Sequence, residues 1–232
     1  MHIQNPKAYA HFAGFNYLLI FALAIYANFF VFSELIVASD PAATASNIAE
    51  QEFLFRIATA FMILVLIADI FIAWAFFLLL RPVNQPLSLL MALFRLSYTV
   101  AQIGVVLNLS KALTLAGNAS LAPSGLSAHL FAAAHGAEFT ITLILFGIHL
   151  LLLGYLIVRA PFLPAVIGVL VSVAGLGYII DGFAAILFDG YGPLGSIGLY
   201  IVVLPALAGE GALMLWLLLR GINQRKWREI YS

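Results

Sequence analysis

The stretch DIFIAWAFFLLLRPVNQPLSLLMALFR, residues 69–95, decides the fold of this chain. It joins two apolar segments within residues 53–113, and its centre, Arg-Pro-Val-Asn-Gln-Pro at 81–86, is typical of a turn. Asp69 precedes Arg81 by 12 residues and Arg95 follows it by 14. At about 1.5 Å per helical residue, both charges lie roughly 15–20 Å from the turn. The stretch therefore predicts a helical hairpin with an acid and a base at similar depth.

The composition indicates a membrane protein. Of 232 residues, 64% are hydrophobic and 9% are charged, with a mean hydropathy of +1.10. Soluble proteins contain about 25% charged residues, so this chain has too few to cover a soluble surface. We therefore predict one transmembrane domain over residues 1–232. The formal net charge of +0 and the lack of a long basic stretch argue against nucleic acid as a partner. The absence of cysteine excludes a disulfide, a thiolate metal site and a cysteine nucleophile.

Hydropathy and turn signals predict an all-α bundle of six transmembrane helices. The predicted helices cover residues 11–33, 52–80, 86–113, 129–158, 162–188 and 194–220. Residues 35–51 and 115–126 are predicted loops, residues 189–193 a turn, and the residues after 220 a tail.

Most of the positive charges lie on one side of this predicted bundle, with Arg56 and Lys111 near the opposite boundary. An even number of helices places both termini on the more positive side, together with Lys7, Arg81, Arg159, Arg220, Arg225, Lys226 and Arg228. Lys and Arg near helix ends mark the cytoplasmic face. We therefore predict a multi-pass protein of the inner (plasma) membrane with cytoplasmic N- and C-termini and membrane lipid as a partner. An aromatic belt is expected at the same boundary, formed by Trp74, Tyr155, Trp216 and Trp227.

Polar residues from five helices fall at one predicted depth. Counting from the cytoplasmic boundary puts each roughly 15–20 Å into the hydrocarbon, and these residues are Asn16, Asp69, Arg95, His149 and Glu210. Tyr98 and Gln102 share the helix face of Arg95 by their spacing. Charged groups inside a membrane are costly and commonly mark ligand sites or pathways. We therefore predict that these seven residues form a ligand-binding layer, with Asp69 and Arg95 in contact or sharing a ligand.

The charges of this layer leave several alternatives open. Arg95 supplies one positive charge against the two carboxyl groups of Asp69 and Glu210. Either one carboxyl is protonated, or His149 is cationic, or a bound cation or ligand completes the layer. A polar cluster that only fixes helix packing is the alternative to a binding site.

A second polar set is predicted nearer the outer face. It comprises Arg56, His135, Glu138, Tyr178 and Asp181. The His-x-x-Glu spacing of His135 and Glu138 can present two ligands to one metal. Glu138 and His149, however, are 11 residues apart, roughly 16 Å along a helix. We therefore predict no bound metal and no cofactor.

Small residues recur along one face of the predicted fifth helix. They are Gly168, Ser172, Gly175 and Gly182, with spacings of four, three and seven. Small residues at such spacing let helix backbones approach closely in membranes. We predict that this face packs against another helix.

Several short motifs resemble those of a known family. They include Leu54-Phe55-Arg56, Leu80-Arg81-Pro82-Val83-Asn84, Phe94-Arg95, Leu153-Gly154-Tyr155-Leu156, Phe162-Leu163-Pro164, Gly175-Leu176-Gly177-Tyr178 and Gly209-Glu210. Over nearly the whole chain the sequence resembles the bacterial and archaeal membrane proteins grouped as domain of unknown function 4386 (DUF4386). The resemblance implies a six-helix integral membrane protein. It implies no activity and no catalytic residue.

Three functional hypotheses follow from these observations. The first is binding or transport of a small or amphipathic, lipid-like ligand by the mid-membrane layer. The second is a structural or accessory membrane subunit, in which the layer only stabilises packing. The third is a metal-assisted intramembrane hydrolase using His135, Glu138, His149 and Asp181. We favour a non-enzymatic role, and the sequence leaves a homo-oligomer open.

Overall fold

A computed structural model describes residues 4–118, 125–188, 191 and 198–231. Within these ranges the chain is helical and contains no β-strand, which confirms the predicted all-α class. Six helices are long and apolar enough to cross a membrane. They are α1 (Pro6–Leu35), α3 (Glu52–Leu80), α4 (Gln85–Ala116), α5 (Leu126–Arg159), α6 (Ala165–Leu187) and α7 (Tyr200–Leu219). Two shorter helices are α2 (Pro41–Glu50) and α8 (Gln224–Tyr231).

The six predicted spans are confirmed, with shifted ends. Helix α1 starts earlier than predicted, at Pro6, and α6 starts later, at Ala165, because Pro164 takes an extended conformation as its N-cap. The predicted start of the last span, at residues 194–197, lies outside the described residues. The same holds for residues 119–124 of the predicted loop and for the predicted turn at 189–193 apart from Tyr191.

The prediction that residues 35–51 form a loop is wrong, because α2 occupies residues Pro41–Glu50. Asp40 and Pro41, which lie within the predicted loop, begin this helix. The Asp40 side chain accepts a hydrogen bond from the Ala43 backbone N–H at 2.9 Å, and Pro41 sits in the first turn, where no N–H is needed. The buried Thr44 hydroxyl donates to the Val37 carbonyl at 3.1 Å. These contacts fix the helix against the segment before it.

The predicted C-terminal tail contains a helix that the sequence analysis did not identify. Residues Gln224–Tyr231 form α8. Trp227, predicted to lie in an aromatic belt, is instead 2% exposed. Its Nε1 donates a hydrogen bond to the Leu79 carbonyl at 2.9 Å, in the last turn of α3. Trp74 and Tyr155 are 44% and 46% exposed, as belt residues would be.

The chain divides into two compact units. Unit 1 comprises Met1–Leu18, Ala68–Thr99 and Thr140–Ser232, and unit 2 comprises Leu19–Ile67 and Val100–Phe139. Unit 2 has an apolar core that includes Val31, Phe32, Ile48, Phe55 and Leu109. Unit 1 contains the ionic group predicted around residues 69–95.

The predicted small-residue face of α6 packs on α5 within unit 1. A Cβ added to Gly175 would lie 2.7 Å from the Gly147 carbonyl oxygen, and one added to Gly168 would lie 2.6 Å from that of Gly154. The pairs Gly175–Gly147 and Gly168–Gly154 thus let the backbones of α6 and α5 come so close that a side chain would clash. The spacing of seven residues is the same on both helices, so the two close approaches lie two turns apart. This confirms the packing role predicted for the face.

Two spans contain wide turns with π-helical geometry. They are Tyr26–Phe32 in α1 and Leu199–Val203 at the start of α7. The second directly precedes Leu204-Pro205, and a proline removes one helical donor and crowds the turn before it. The widened turn lets α7 continue past this proline.

The exposed face of α3 is apolar over about three turns. It presents Ile63, Leu64, Ile67, Ile70, Phe71 and Trp74, each between 40% and 47% exposed. Exposing a continuous apolar stripe of this kind to water is unfavourable, whereas contact with lipid acyl chains is not. The exposed surface of this helix therefore suits a bilayer.

Candidate functional site: a buried ionic cluster

Arg95 belongs to unit 1 and is 1% exposed. Its Nε donates a hydrogen bond to Asp69 Oδ1 at 2.9 Å, and its Nη2 donates to the same oxygen. The predicted contact between Asp69 and Arg95 is confirmed. The turn after α3 brings α4 back alongside it, so similar distances from Arg81 place both side chains at a similar level. An ion pair at this depth removes the cost of leaving either charge alone in the protein interior.

The other end of the Arg95 guanidinium contacts two further helices. Nη1 donates to the Tyr17 hydroxyl at 3.1 Å and to His149 Nε2 at 3.1 Å. Tyr17 is 1% exposed and His149 is 0% exposed. Helices α1, α3, α4 and α5 thus each contribute one side chain to a single hydrogen-bonded group. We call Tyr17, Asp69, Arg95 and His149 the ionic cluster.

The hydrogen bonds of His149 define its protonation state. Its Nδ1 lies 2.8 Å from the Met91 carbonyl oxygen, which can only accept, so Nδ1 carries the proton. Its Nε2 faces the N–H of Arg95 and must accept, so it carries none. His149 is therefore a neutral imidazole in this arrangement. Three ways to balance the charges of the layer were left open by the sequence. This geometry excludes one of them, a cationic His149.

Glu210 forms a separate polar pair with Tyr178. The Tyr178 hydroxyl donates to Glu210 Oε1 at 3.0 Å, and Glu210 is 5% exposed. Tyr178 was predicted beside Asp181 in the outer set, but its contact places it with the mid-membrane residues. Among the described residues, no Lys, Arg or His nitrogen lies within ion-pair distance of Glu210. This buried carboxyl group therefore has a hydroxyl partner but no cationic one.

Phe146 links the two polar groups. Its ring centroid lies 5.1 Å from the Arg95 guanidinium carbon and 5.5 Å from the Tyr178 ring centroid. A guanidinium near an aromatic face is attracted by the ring quadrupole. The Tyr98 ring is 5.0 Å from Phe146, which gives Tyr98 a place in the same group. The ionic cluster and the Glu210–Tyr178 pair are thus continuous through one aromatic ring.

Sequence reasoning missed Tyr17 and Phe146. Tyr17 follows Asn16, which was predicted from its depth, and the same depth count would have found it. The structure gives Asn16 a partner in its own helix, since its Nδ2 donates to the Phe12 carbonyl at 2.9 Å. Gln102 is buried, as expected from its helix face, and belongs to unit 2. No sequence signal marks Phe146 within an apolar run.

The residues of the predicted outer set have separate hydrogen-bond partners. His135 is buried in unit 2, where its Nδ1 donates to the Val105 carbonyl at 3.3 Å and its ring lies 5.5 Å from that of Phe32. Glu138 is exposed and accepts a hydrogen bond from Asn108 Nδ2 at 2.8 Å. Arg56 forms an exposed ion pair with Glu52 one turn earlier. Across the described parts of the chain, no three His, Asp or Glu residues converge in a way that could hold a metal ion.

Asp181, the remaining outer residue, contacts the segment after α6. The Tyr191 hydroxyl donates to Asp181 Oδ1 at 2.6 Å. The hydrogen bond to Asp181 raises the pKa of Tyr191 to about 12, with burial and the carboxylate charge acting in the same direction. Tyr191 therefore keeps its proton over the whole physiological pH range.

Six apolar spans and a charged cluster buried among them define a multi-pass α-helical membrane protein. The model of the domain of unknown function DUF4386 matches residues 12–221, and the chain belongs to this family. An uncharacterised protein of Archaeoglobus fulgidus is 33% identical over 169 residues, which cover 73% of this chain and 85% of the archaeal one. No solved structure matches the chain.

Proposed function

We propose that this protein binds a small amphipathic, lipid-like ligand within the bilayer, in a binding or transport role. The ligand's polar end is held by Glu210 and Tyr178, and the ionic cluster fixes the helices around them. The observation that supports this proposal is a buried carboxyl group with no cationic partner among the described residues. Such a group needs a proton or a positive or hydrogen-bond-donating partner, because an unpaired buried charge is costly.

The ionic cluster itself does not supply that partner. Arg95 already pairs with Asp69, and its remaining hydrogen bonds go to Tyr17 and His149. Because His149 is neutral, the positive charge of Arg95 is balanced within the cluster. The ligand class that suits Glu210 is therefore an apolar chain ending in an ammonium or hydroxyl group rather than in a carboxylate.

A structural role is the second candidate, and the saturation of Arg95 favours it. All the hydrogen bonds described for this guanidinium go to protein groups on three other helices. A group of this kind stabilises one arrangement of the bundle with no ligand. In a purely structural protein, Glu210 would be protonated and Tyr178 would be its permanent partner.

Thermal unfolding of the detergent-purified protein with dodecylamine, a monoacylglycerol and dodecanoate separates the two candidates. We expect dodecylamine or the monoacylglycerol to stabilise the wild-type protein and dodecanoate to have no such effect. Glu210→Gln should abolish this stabilisation, and Tyr178→Phe should weaken the affinity about tenfold, as for one hydrogen bond to a charged group. Glu138→Gln, an exposed carboxyl in unit 2, is the matched control and should respond as the wild type does.

The structural candidate predicts a different result. Stabilisation that is equal for all three amphiphiles and unchanged in Glu210→Gln would show that Glu210 holds no ligand. The function would then be the stabilisation of the bundle alone.

A further inference from the structure

Unit 1 has a basic end. Cations cluster where α1 starts, where α3 ends and after α7, and they comprise Lys7, Arg81, Arg220, Arg225, Lys226 and Arg228. Glu229 is the acidic residue among them. The cations lie directly beside the apolar spans, at the level where lipid head groups meet the hydrocarbon. Their position raises the question of which anion they meet.

Helix α8 holds three of these cations in a fixed position. Its indole anchor, Trp227, is buried and bonded to the Leu79 carbonyl. The Asn223 N–H donates to the Phe162 carbonyl at 3.2 Å, and Gln224 Nε2 donates to Asn5 Oδ1 at 3.1 Å. Three separate parts of the chain thus hold this short helix. Its charged face is therefore a preformed surface rather than a loose tail.

The charges on that face are only partly neutralised. Arg225 pairs with Glu229 at 3.0 Å, and both side chains are exposed. Lys226 and Arg228 are exposed and form no ion pair with any described residue. The exposed side of α8 therefore carries two positive charges without an ion-pair partner among the described residues, one on each flank of the Arg225–Glu229 pair.

A small cavity lies next to this face. It has a volume of about 250 Å³ and is lined by Arg81, Pro82, Gln85 and Ile230. Arg81 and Gln85 contribute hydrogen-bond donors, and Ile230 of α8 contributes an apolar wall. A guanidinium and an amide in one concave site match the oxygens of a phosphate group.

We propose that the basic end binds the phosphate head group of an anionic phospholipid of the surrounding bilayer. Arg81 and Gln85 contact the phosphate in the cavity, Ile230 contacts the start of the acyl chains, and Lys226 and Arg228 attract the remaining negative charge. The charge complementarity selects an anionic lipid over a zwitterionic one. The apolar wall favours a lipid over free phosphate, which has no chain to place there.

The test measures apparent affinities of the full-length protein in neutral detergent for phosphatidylglycerol and phosphatidylcholine of identical chains, by native mass spectrometry. We expect the wild type to prefer phosphatidylglycerol. Each cation near an anionic lipid contributes about a fivefold factor, so Lys226→Gln with Arg228→Gln should lower that affinity about thirtyfold. Arg81→Gln alone should lower it at least about fivefold. Glu229→Gln, which releases Arg225 from its ion pair, should raise the affinity for phosphatidylglycerol.

Two controls make the test specific. Arg56→Gln with Lys111→Gln also removes two cations, but from unit 2, and should leave the affinity unchanged. Lys226→Arg with Arg228→Lys keeps both charges and should bind as the wild type does. Equal affinity for the two lipids, or an equal loss in the unit 2 control, would overturn the proposal. Displacement of phosphatidylglycerol by millimolar inorganic phosphate would also overturn it, because the site would then recognise the free anion and not the lipid.

Discussion

His149 and Arg95 are joined by a hydrogen bond of 3.1 Å, and His149 also contacts the backbone of the helix that carries Arg95. Its Nδ1 donates to the carbonyl of Met91, which lies one turn before Arg95 on α4. One neutral imidazole from α5 thus contacts both the side chain and the backbone of α4. This arrangement fixes the rotamer of Arg95 and the rotation of α5 together.

The first prediction concerns the Asp69–Arg95 ion pair. Arg95→Ala leaves the Asp69 carboxylate buried without a partner and should destabilise the protein by about 3–5 kcal/mol. The double variant Asp69→Asn with Arg95→Gln removes both charges and should be more stable than Arg95→Ala. Unfolding in detergent, followed by circular dichroism, measures both. Glu52→Gln with Arg56→Gln removes the exposed ion pair of α3 and should cost no more than about 0.5 kcal/mol.

The second prediction concerns the two hydrogen bonds of His149. His149→Leu leaves both Arg95 Nη1 and the Met91 carbonyl without this partner, and each lost buried bond costs about 1–3 kcal/mol. His149→Gln keeps one donor and one acceptor, so its free energy of unfolding should fall clearly less than that of His149→Leu. The comparison uses the same unfolding assay. Equal losses for Leu and Gln would show that His149 acts through its volume and not through these bonds.

The third prediction concerns the close contact of α5 and α6. Gly175→Ala places a methyl group against the Gly147 carbonyl, which is backbone and cannot move aside easily. We expect destabilisation of about 1–3 kcal/mol, as for overpacking in a core. Gly104→Ala is the control, since a Cβ there has no atom within 4 Å, and it should be neutral or stabilising.

The fourth prediction concerns the orientation of the chain, which rests on its positive charges. Because the protein has no cysteine, single introduced thiols report cleanly. Ser39→Cys and Asn118→Cys should react with a membrane-impermeant maleimide on intact cells, and Asn84→Cys should react only after lysis. All three positions are exposed, so burial does not limit labelling. The opposite pattern would reverse the predicted orientation.

The fifth prediction concerns Tyr191 and pH. The hydrogen bond to Asp181 raises the pKa of Tyr191 from the ordinary value of 10.0 to about 12 in the folded protein, so folding favours the protonated hydroxyl. The stabilisation is fully present below pH 10 and is lost as the pH rises from about 10 to about 12. The stability difference between wild type and Tyr191→Phe should therefore be constant at neutral pH and shrink above pH 10. A difference that grows with pH would contradict the hydrogen bond to Asp181.

The sequence predicted the level of a residue along its helix better than the side of the helix on which the residue lies. Counting residues from Arg81 placed Asp69 and Arg95 at one level, and a short turn makes their helices neighbours, so their contact followed. Helical rise does not, however, fix the rotation of a helix about its axis. Tyr178 was therefore assigned to the outer set with Asp181, although it faces Glu210. Tyr17 was passed over for Asn16, its neighbour in sequence, for the same reason.

Errors in the predicted helices have a local origin. Asp40-Pro41 reads equally as a turn or as the first residues of a helix, and the hydrogen bond from Ala43 decides for the helix. Helix α8 is too short to be stable alone and depends on burial of Trp227. Hydrophobic periodicity over only eight residues does not identify such a helix.

The hydrogen bond between Trp227 and Leu79 also has a consequence for biosynthesis. The two residues are 148 positions apart, so the ribosome adds Trp227 about 7–30 s after Leu79 at ordinary elongation rates. Once the second span has entered the membrane, the carbonyl at its end must bond to water or to a head group until Trp227 is available. The Trp227 indole N–H replaces the water or head group at the Leu79 carbonyl only when α8 docks. Insertion of the spans and completion of the folded bundle are therefore separate events, and a nascent chain that stops before residue 227 retains an open helix end at the membrane surface.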